Sequence, residues 1–422
     1  MREYQLVCTA CGARFDDDGA RLSCVNDHPP ALLRTLYAQR SFAPTHEEGM
    51  LRYRCWLPAA RDLATPARTG IYRSTALGAH LGLSRLWIAF SGWWPDRDAT
   101  LPTGSFKDLE AIGVLRRIDP RDSRTLVVSS AGNTALAFAR LCTEYDLPAL
   151  IIVPLRGWQA VASAVRVGPS VRVVAIADAG YEDAIAFARD LCAGDDFILE
   201  GGVRNVARRD GMATAMLAAV EAIGTLPDYY FQAVGSAAGG LAAHEAALRL
   251  LVDGRFGNRL PRLMLAQNAP FTPIHDAWSS GAAELAARPA AAVAEELARL
   301  GAFVLGNQAP PYAVAGGVRE ALVESGGRTF AVDNLRLGNA MALFAELEGV
   351  SIEPAAGVAL ASLVQAAAAG EIERDAVVLL HVTGGGRREC PADGVADARP
   401  TLILERSELT TTAFARTRSL LH

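Results

Sequence analysis

Forty arginines and a single lysine make up the basic residues of this chain, so chemistry that needs a primary amine side chain has one address, Lys107. It stands in Leu101-Pro102-Thr103-Gly104-Ser105-Phe106-Lys107-Asp108, where a Pro/Gly turn feeds a helix expected to run through Leu115. A cation at a helix start is repelled by the amide end of the helix dipole. The same repulsion lowers the amine pKa and favours the neutral form, a nucleophile able to form a Schiff base. A drift toward arginine that spared Lys107 by chance accounts for the forty arginines but gives no reason for this position.

Three glycine-bearing loops offer partners for such an amine. Ser129-Ser130-Ala131-Gly132-Asn133-Thr134 follows an apolar run and opens a helix. Small residues there leave backbone amides facing an anion, so Ser130, Ala131, Gly132 and Thr134 are expected around a substrate carboxylate. Asn133 adds a side-chain amide that can donate to a phenolate oxygen. Val234-Gly235-Ser236-Ala237-Ala238-Gly239-Gly240 repeats the strand-to-helix pattern and reads as a phosphate cradle over Gly235, Ser236, Ala237, Ala238 and Gly239. Its glycine spacing misses the dinucleotide fingerprint and no lysine follows as in a P-loop, which leaves the phosphate of a cofactor. Leu380-His381-Val382-Thr383-Gly384-Gly385-Gly386 ends an apolar run, where the Thr383 hydroxyl can meet a ring nitrogen and the glycines leave room for a flat ligand. Arg204, Arg208 and Arg209 lie within six residues and suit a clamp on phosphate or sulfonate oxygens, Arg204 and Arg208 being the residues assigned to substrate. His244, His275 and His381 each sit beside an apolar run and are expected to be structural; neither H-E-x-x-H nor G-x-S-x-G occurs.

The elements that must position these loops are legible from about residue 124. Thr125-Leu126-Val127-Val128-Ser129, Ala149 to Val153, Val171 to Ile176, Tyr229 to Val234, Leu263 to Ala266 and Val377 to Val382 read as buried strands. Helical patterns cover Thr134 to Tyr145 and Leu241 to Val252. The alternation predicts an α/β fold of two doubly wound, mostly parallel sheets with a cleft between them. The expected division is a small zinc-ribbon-like module at 1–40, a large domain from 41–120 and 221–395, a small α/β domain at 121–220, and a tail at 396–422 with Leu402-Ile403-Leu404 as a candidate edge strand. In the first module Cys8-x2-Cys11 followed by Cys24-x3-His28 approaches the spacing of a zinc knuckle, but the second half is imperfect. The assignment is no metal, with Cys8, Cys11, Cys24 and His28 as weak candidates.

Composition removes other classes. At 51% hydrophobic and 21% charged the chain is expected to fold, and a net charge of −5 carries no footprint for nucleic acid or anionic membrane. No apolar run is long enough to span a bilayer, the first residues lack a secretory pattern, and seven scattered cysteines read as reduced thiols, so a cytoplasmic protein is expected.

A lone lysine, an asparagine-bearing anion loop, a phosphate cradle and a strand-end hydroxyl are the contacts that pyridoxal 5'-phosphate needs. Here the chain resembles the tryptophan-synthase-like (fold type II) pyridoxal-phosphate enzymes, and within them the threonine synthase and cysteate synthase branch. Pro102 to Asp108 looks like threonine synthase. The stretches Phe90 to Pro95, Glu200 to Arg209, Tyr230 to Ser236, Leu265 to Asn268 and Pro310-Pro311-Tyr312 look more like cysteate synthase, and the likeness runs from the N-terminal cysteines to about Gly386. The resemblance implies that Lys107 carries the Schiff base, Asn133 contacts the cofactor oxygen, Gly235 to Gly239 cradle the phosphate and Thr383 meets the ring nitrogen. It further implies a lyase or transferase of amino-acid biosynthesis that replaces the phosphate of O-phosphoserine with sulfite. The expected partners are those small molecules and other copies of the chain, with no nucleic acid and no membrane. Threonine synthase chemistry on O-phosphohomoserine, β-replacement with another nucleophile, and a non-catalytic ligand sensor stand beside that reading.

Overall fold

The computed structural model describes residues 3–130, 132–159, 161–387 and 398–421. Its largest sheet has six strands in the order Arg328–Val332, Arg262–Asn268, Tyr229–Ala233, Val377–Val382, Arg85–Phe90 and Gly70–Arg73. All pairings are parallel except the last, where Gly70–Arg73 runs antiparallel to Arg85–Phe90. Side chains alternate across a strand, and here both faces are apolar, so both need a cover. Tyr230, Leu263, Leu265 and Leu379 pack under the helices Val206–Ile223 and Ala238–Asp253. Phe231, Met264, Val378 and Leu380 pack under the helix Pro354–Ala368.

The second sheet has five parallel strands, in the order Phe197–Leu199, Thr125–Ser129, Ala149–Pro154, Val171–Ala177 and Leu402–Glu405. The helix Asn133–Glu144 covers one face through Leu136, Phe138 and Leu141, and the helix Tyr181–Leu191 covers the other through Ala184, Phe187 and Leu191. The stretch 396–422, set apart in the sequence as a tail, supplies the outer strand of this sheet: Leu402 to Glu405 pair with Val174 to Ala177. A third, antiparallel sheet near the N-terminus orders Arg14–Phe15, Tyr4–Cys8 and Leu33–Tyr37. Among the described residues, no helix is long and apolar enough to cross a membrane.

Two glycines bring the functional helices together. The helix Lys107–Arg117 crosses the helix Val206–Ile223 where a Cβ on Gly113 would strike the Ala207 carbonyl oxygen and come 3.2 Å from Gly211 Cα. A Cβ on Gly211 would in turn strike the Leu109 carbonyl. Backbone-to-backbone contact of this kind leaves no room for a side chain, and it carries Arg208 in beside Glu110.

Candidate active site

Three strand ends and one turn meet at a cavity between the sheets. Parallel strands point their C-terminal ends the same way, and ligands gather there. Ser130 follows one strand, Val234 the next and Thr383 the third, and all three line the cavity with Lys107.

The turn before Lys107 is built to face Thr383. Gly104 has a φ of +68°, which favours glycine, and its amide closes on Leu101 O at 2.9 Å. Asp108 reaches back and accepts from the Thr103 amide at 2.8 Å; burial nevertheless pushes its carboxyl up to about 6. Phe106 N–H then donates to Thr383 O at 3.0 Å, and Gly385 N–H donates to Gly104 O at 3.0 Å. These bonds splice the two segments, so Lys107 begins its helix beside the end of the Val377–Val382 strand. The Thr383 side chain is 5% exposed, and its hydroxyl has no hydrogen-bond partner among the described residues.

Lys107 Nζ lies 3.0 Å from Glu110 Oε2 and 4.6 Å from the Phe106 ring centroid. Burial and the nearby Arg208 guanidinium lower its pKa, while Glu110 works against them. For Glu110 the balance is opposite: burial alone would raise its pKa, but Arg208, Lys107 and a 2.7 Å bond from Thr134 Oγ1 hold it below the usual carboxylate range. Arg208 is 4% exposed and meets Glu200 through two bonds, at 2.7 and 2.8 Å, with Glu110 at 3.4 Å. Burial works against its charge, but the two carboxylates prevail and raise its pKa.

The cradle is a set of unpaired donors. Val234 N–H bonds to Ala266 O and Leu241 N–H bonds to Ala237 O, but the amides from Gly235 to Gly240 have no partner among the described residues. They open the helix Ala238–Asp253, whose dipole favours an anion, and Ala237 is held at a φ of +58° to turn them inward. Buried amides without partners are costly, and a phosphate group is the complement they lack. The space is also reserved: a Cβ on Gly235 would stand 3.0 Å from Leu305 O. One on Gly239 would stand 3.0 Å from both Phe106 Cε2 and Gln232 Oε1, and closer still to Gln232 Nε2.

Facing the cradle, the 130–134 loop presents further donors. Ser130 Oγ accepts from the amides of Gly132 and Ala135, both at 3.1 Å, so its own proton is free to donate. Asn133 opens its helix, and its Oδ1 accepts from Arg387 Nη2 at 3.0 Å, which leaves the amide NH2 for the cavity. Thr134, expected at the substrate through the loop amides, lines the cavity, and its hydroxyl donates to Glu110 at 2.7 Å. Ala131 lies outside the described residues.

The arginine cluster separates. Arg208 alone lines the cavity. Arg204 stays exposed on a turn, because the helix does not begin until Val206. Arg209, one residue beyond Arg208, points the other way into the core and bonds Glu245, Val203 O and Leu33 O. The clamp over Arg204 and Arg208 is therefore corrected to Arg208, itself already paired with carboxylates.

The histidines are absent from the cavity lining. His244 meets Glu324 at 2.7 Å and His275 meets Thr329 at 3.0 Å. His381 is wholly buried between Tyr230 and Ser91, at 2.7 and 2.8 Å, and burial pushes its pKa down to about 3. Tyr230 donates in turn to Gln232 Oε1 at 2.6 Å, so this chain fixes the glutamine that stands behind Gly239. Reading the residues in order missed Glu110, Glu200, Gln232, Glu353, Arg387 and Tyr181, whose phenol burial pushes up to about 12. Only Glu110 had a local signal, one helical turn after Lys107.

An amine with a lowered pKa, a row of unpaired amides, an open hydroxyl and an asparagine amide fit a flat phosphorylated ring bearing an aldehyde. Comparison with known proteins agrees. Residues 66–384 match the model of a family described as pyridoxal-phosphate dependent enzyme. A cysteate synthase of Methanosphaerula palustris is 45% identical over 390 residues, 91% of this chain and 90% of its own length. One of Methanosarcina mazei is 40% identical over 412 residues, 97% of this chain and 98% of its own. Among solved structures, maize serine racemase superposes with a TM-score of 0.58 at 16% identity, over 76% of this chain and 89% of that one. A fungal L-serine ammonia-lyase from Rhizomucor miehei gives 0.57 at 17% identity, over 83% and 97%. At such identities the structures speak for the fold alone.

Proposed function

The chain belongs to the pyridoxal-phosphate-dependent enzymes and, within them, to the cysteate synthase family, and from that premise we propose that it converts O-phospho-L-serine and sulfite to L-cysteate and phosphate. The β-carbon loses its bond to phosphate oxygen and gains one to sulfur. The observation that carries the reading is the placement of the one lysine in the same cavity as the unpaired Gly235 to Gly240 amides and the open Thr383 hydroxyl.

In this reading Lys107 would tether the cofactor, the 235–240 amides would hold its phosphate, Asn133 would donate to its ring oxygen, and Thr383 would meet its ring nitrogen. When bound, pyridoxal phosphate supplies an electron sink for the α-carbon, which eases loss of the α-proton and departure of the β-substituent. A hydroxyl beside the ring nitrogen does not hold a proton there as a carboxylate does. That suits elimination and replacement more than transamination. Glu353, the acidic group near Gly384, is turned to Arg387 at 3.5 Å.

The remaining residues handle carboxylate and proton. Ser130 O–H and the amides of Asn133 and Thr134, which have no partner among the described residues, receive the substrate carboxylate at the start of their helix. Once the substrate amine has taken its place on the cofactor, the freed Lys107 Nζ would accept the α-proton: burial and Arg208 favour the neutral amine, and Glu110 at 3.0 Å would stabilise the ammonium that results. Arg208 keeps Glu110 ionised for that purpose.

The test is product analysis with the cofactor-loaded protein. O-phosphoserine should yield cysteate only when sulfite is added. Threonine from O-phosphohomoserine without any cysteate overturns the substrate. Phosphate release without sulfite incorporation overturns the nucleophile, and bound cofactor without turnover favours a ligand sensor.

A further inference from the structure

The N-terminal sheet carries a second constellation, which owes nothing to the reaction above. Cys8 ends the strand Tyr4–Cys8, and a tight turn follows, with Gly12 N–H on Cys8 O at 2.9 Å and Gly12 at a φ of +71°. That turn returns Cys11 toward Cys8, and the 24–28 segment folds over both. The ligand atoms of Cys8, Cys11, Cys24 and His28 all lie within 4.8 Å of one another. Cys8 Sγ is 3.3 Å from His28 Nε2, and Cys11 Sγ is 3.7 Å from Cys24 Sγ. A tetrahedral zinc ion with bonds of about 2.3 Å to sulfur and 2.0–2.1 Å to nitrogen sets edges of about 3.8 Å between sulfurs and about 3.6 Å between sulfur and nitrogen. No pair must close by more than about 1 Å to meet that geometry. A Cys11–Cys24 disulfide would need the sulfurs at about 2.05 Å.

The surroundings are those of thiolates and a metal-bound imidazole. Asn26 donates its backbone N–H to Cys24 Sγ and its side-chain amide to Cys11 Sγ, both at 3.4 Å. His28 Nδ1 meets Pro29 O at 2.7 Å, a bond that fixes the proton on Nδ1 and leaves Nε2 with its lone pair toward the sulfurs. We propose that Cys8, Cys11, Cys24 and His28 bind one zinc ion in a closed, four-ligand structural site. Three thiolates and one imidazole favour zinc over harder divalent ions, and a full protein ligand set leaves no open position for catalysis.

The site has a mechanical consequence. The loop between Cys11 and Cys24 carries Asp17 and Arg21, which engage Arg117 at the end of the Lys107 helix, at 2.7 and 2.8 Å. Arg117 also donates to Asn205, the N-cap of the helix that bears Arg208. On the other side Thr9 Oγ1 bonds Leu32 O and Ala315 O, both at 2.8 Å. The ion thus braces the loop that aligns the two helices crossing at Gly113 and Gly211.

Elemental analysis of the purified full chain should find one zinc per chain. Cobalt(II) in its place should give the intense visible bands of a tetrahedral thiolate site. The double variant Cys11→Ser/Cys24→Ser should lose the metal and unfold at lower temperature, while Cys55→Ser, a half-buried thiol outside the cluster, should retain both. Should the double variant fail to fold, a thiol-modifying reagent on the wild type should release the zinc in step with thiol loss. A metal-free protein that takes up no zinc on addition, an octahedral cobalt spectrum, or zinc retained after thiol modification would overturn the proposal.

Discussion

Gly239→Ala isolates the phosphate cradle from the rest of the site. The added Cβ would lie 3.0 Å from Phe106 Cε2 and from Gln232 Oε1, and nearer still to Gln232 Nε2. Neither neighbour gives way easily. The Tyr230 hydroxyl holds Gln232 at 2.6 Å, and Phe106 is anchored by its backbone bond to Thr383 O at 3.0 Å. The strain is relieved by shifting the first turn of the Ala238–Asp253 helix, which moves the unpaired amides. Overpacking of this kind costs about 1–3 kcal/mol, or about 5- to 150-fold in cofactor dissociation constant. Gly240→Ala is the control, because its Cβ would first meet the flexible Leu265 Cδ2 at 3.1 Å and the effect should be smaller. The assay is absorbance titration of the apoprotein with pyridoxal phosphate and, in parallel, with pyridoxal. The Gly239→Ala loss should appear with pyridoxal phosphate and shrink toward none with pyridoxal. Equal losses with both, or none with either, would refute the cradle.

Other perturbations reach different parts of the account. Lys107→Arg keeps the positive charge but has no amine able to tether the cofactor. It should lack visible-edge absorbance and turnover, and retention of either contradicts the assignment. Arg208→Met leaves Glu110 and Glu200 buried without their guanidinium, and urea denaturation should show a loss of about 3–5 kcal/mol; an unchanged midpoint would mean the carboxylates find other partners. For His381 the folded pKa, about 3, lies below the ordinary 6.5, so the unfolded chain binds the extra proton between those values and stability rises with pH there. Acidification from pH 6.5 toward 3 should cost up to about 1.4 kcal/mol per pH unit from this group. The slope should flatten in His381→Asn, and an identical slope would place the titration elsewhere.

The fold is legible in the sequence where the signal is local. Strand, small-residue loop and helix follow one another at Ser130 and Gly235, Thr383 directly follows the strand Val377–Val382, and composition alone singled out Lys107. The helices were underestimated at their starts. Residues before Leu241 and Thr134 looked like loop, yet Ala238–Asp253 and Asn133–Glu144 begin there, which is what points their amides into the cavity. The charged partners were hidden because they converge only through tertiary contacts. Arg208, held by Glu200, meets Glu110 across the Gly113–Gly211 crossing, and Arg387 reaches Asn133 from a segment 254 residues away. Abundant arginine also masked which one mattered, since Arg204, Arg208 and Arg209 differ only in the direction each leaves its turn or helix. Leu402–Glu405 could be suspected as an edge strand, but its sheet required pairing with Val174 to Ala177.

The most direct test follows labelled sulfite and phosphate together in the cofactor-loaded protein given O-phosphoserine. The account predicts label in cysteate and phosphate release in a one-to-one ratio, both absent in Lys107→Ala. Phosphate released with no labelled cysteate, or equal turnover by Lys107→Ala, would contradict it.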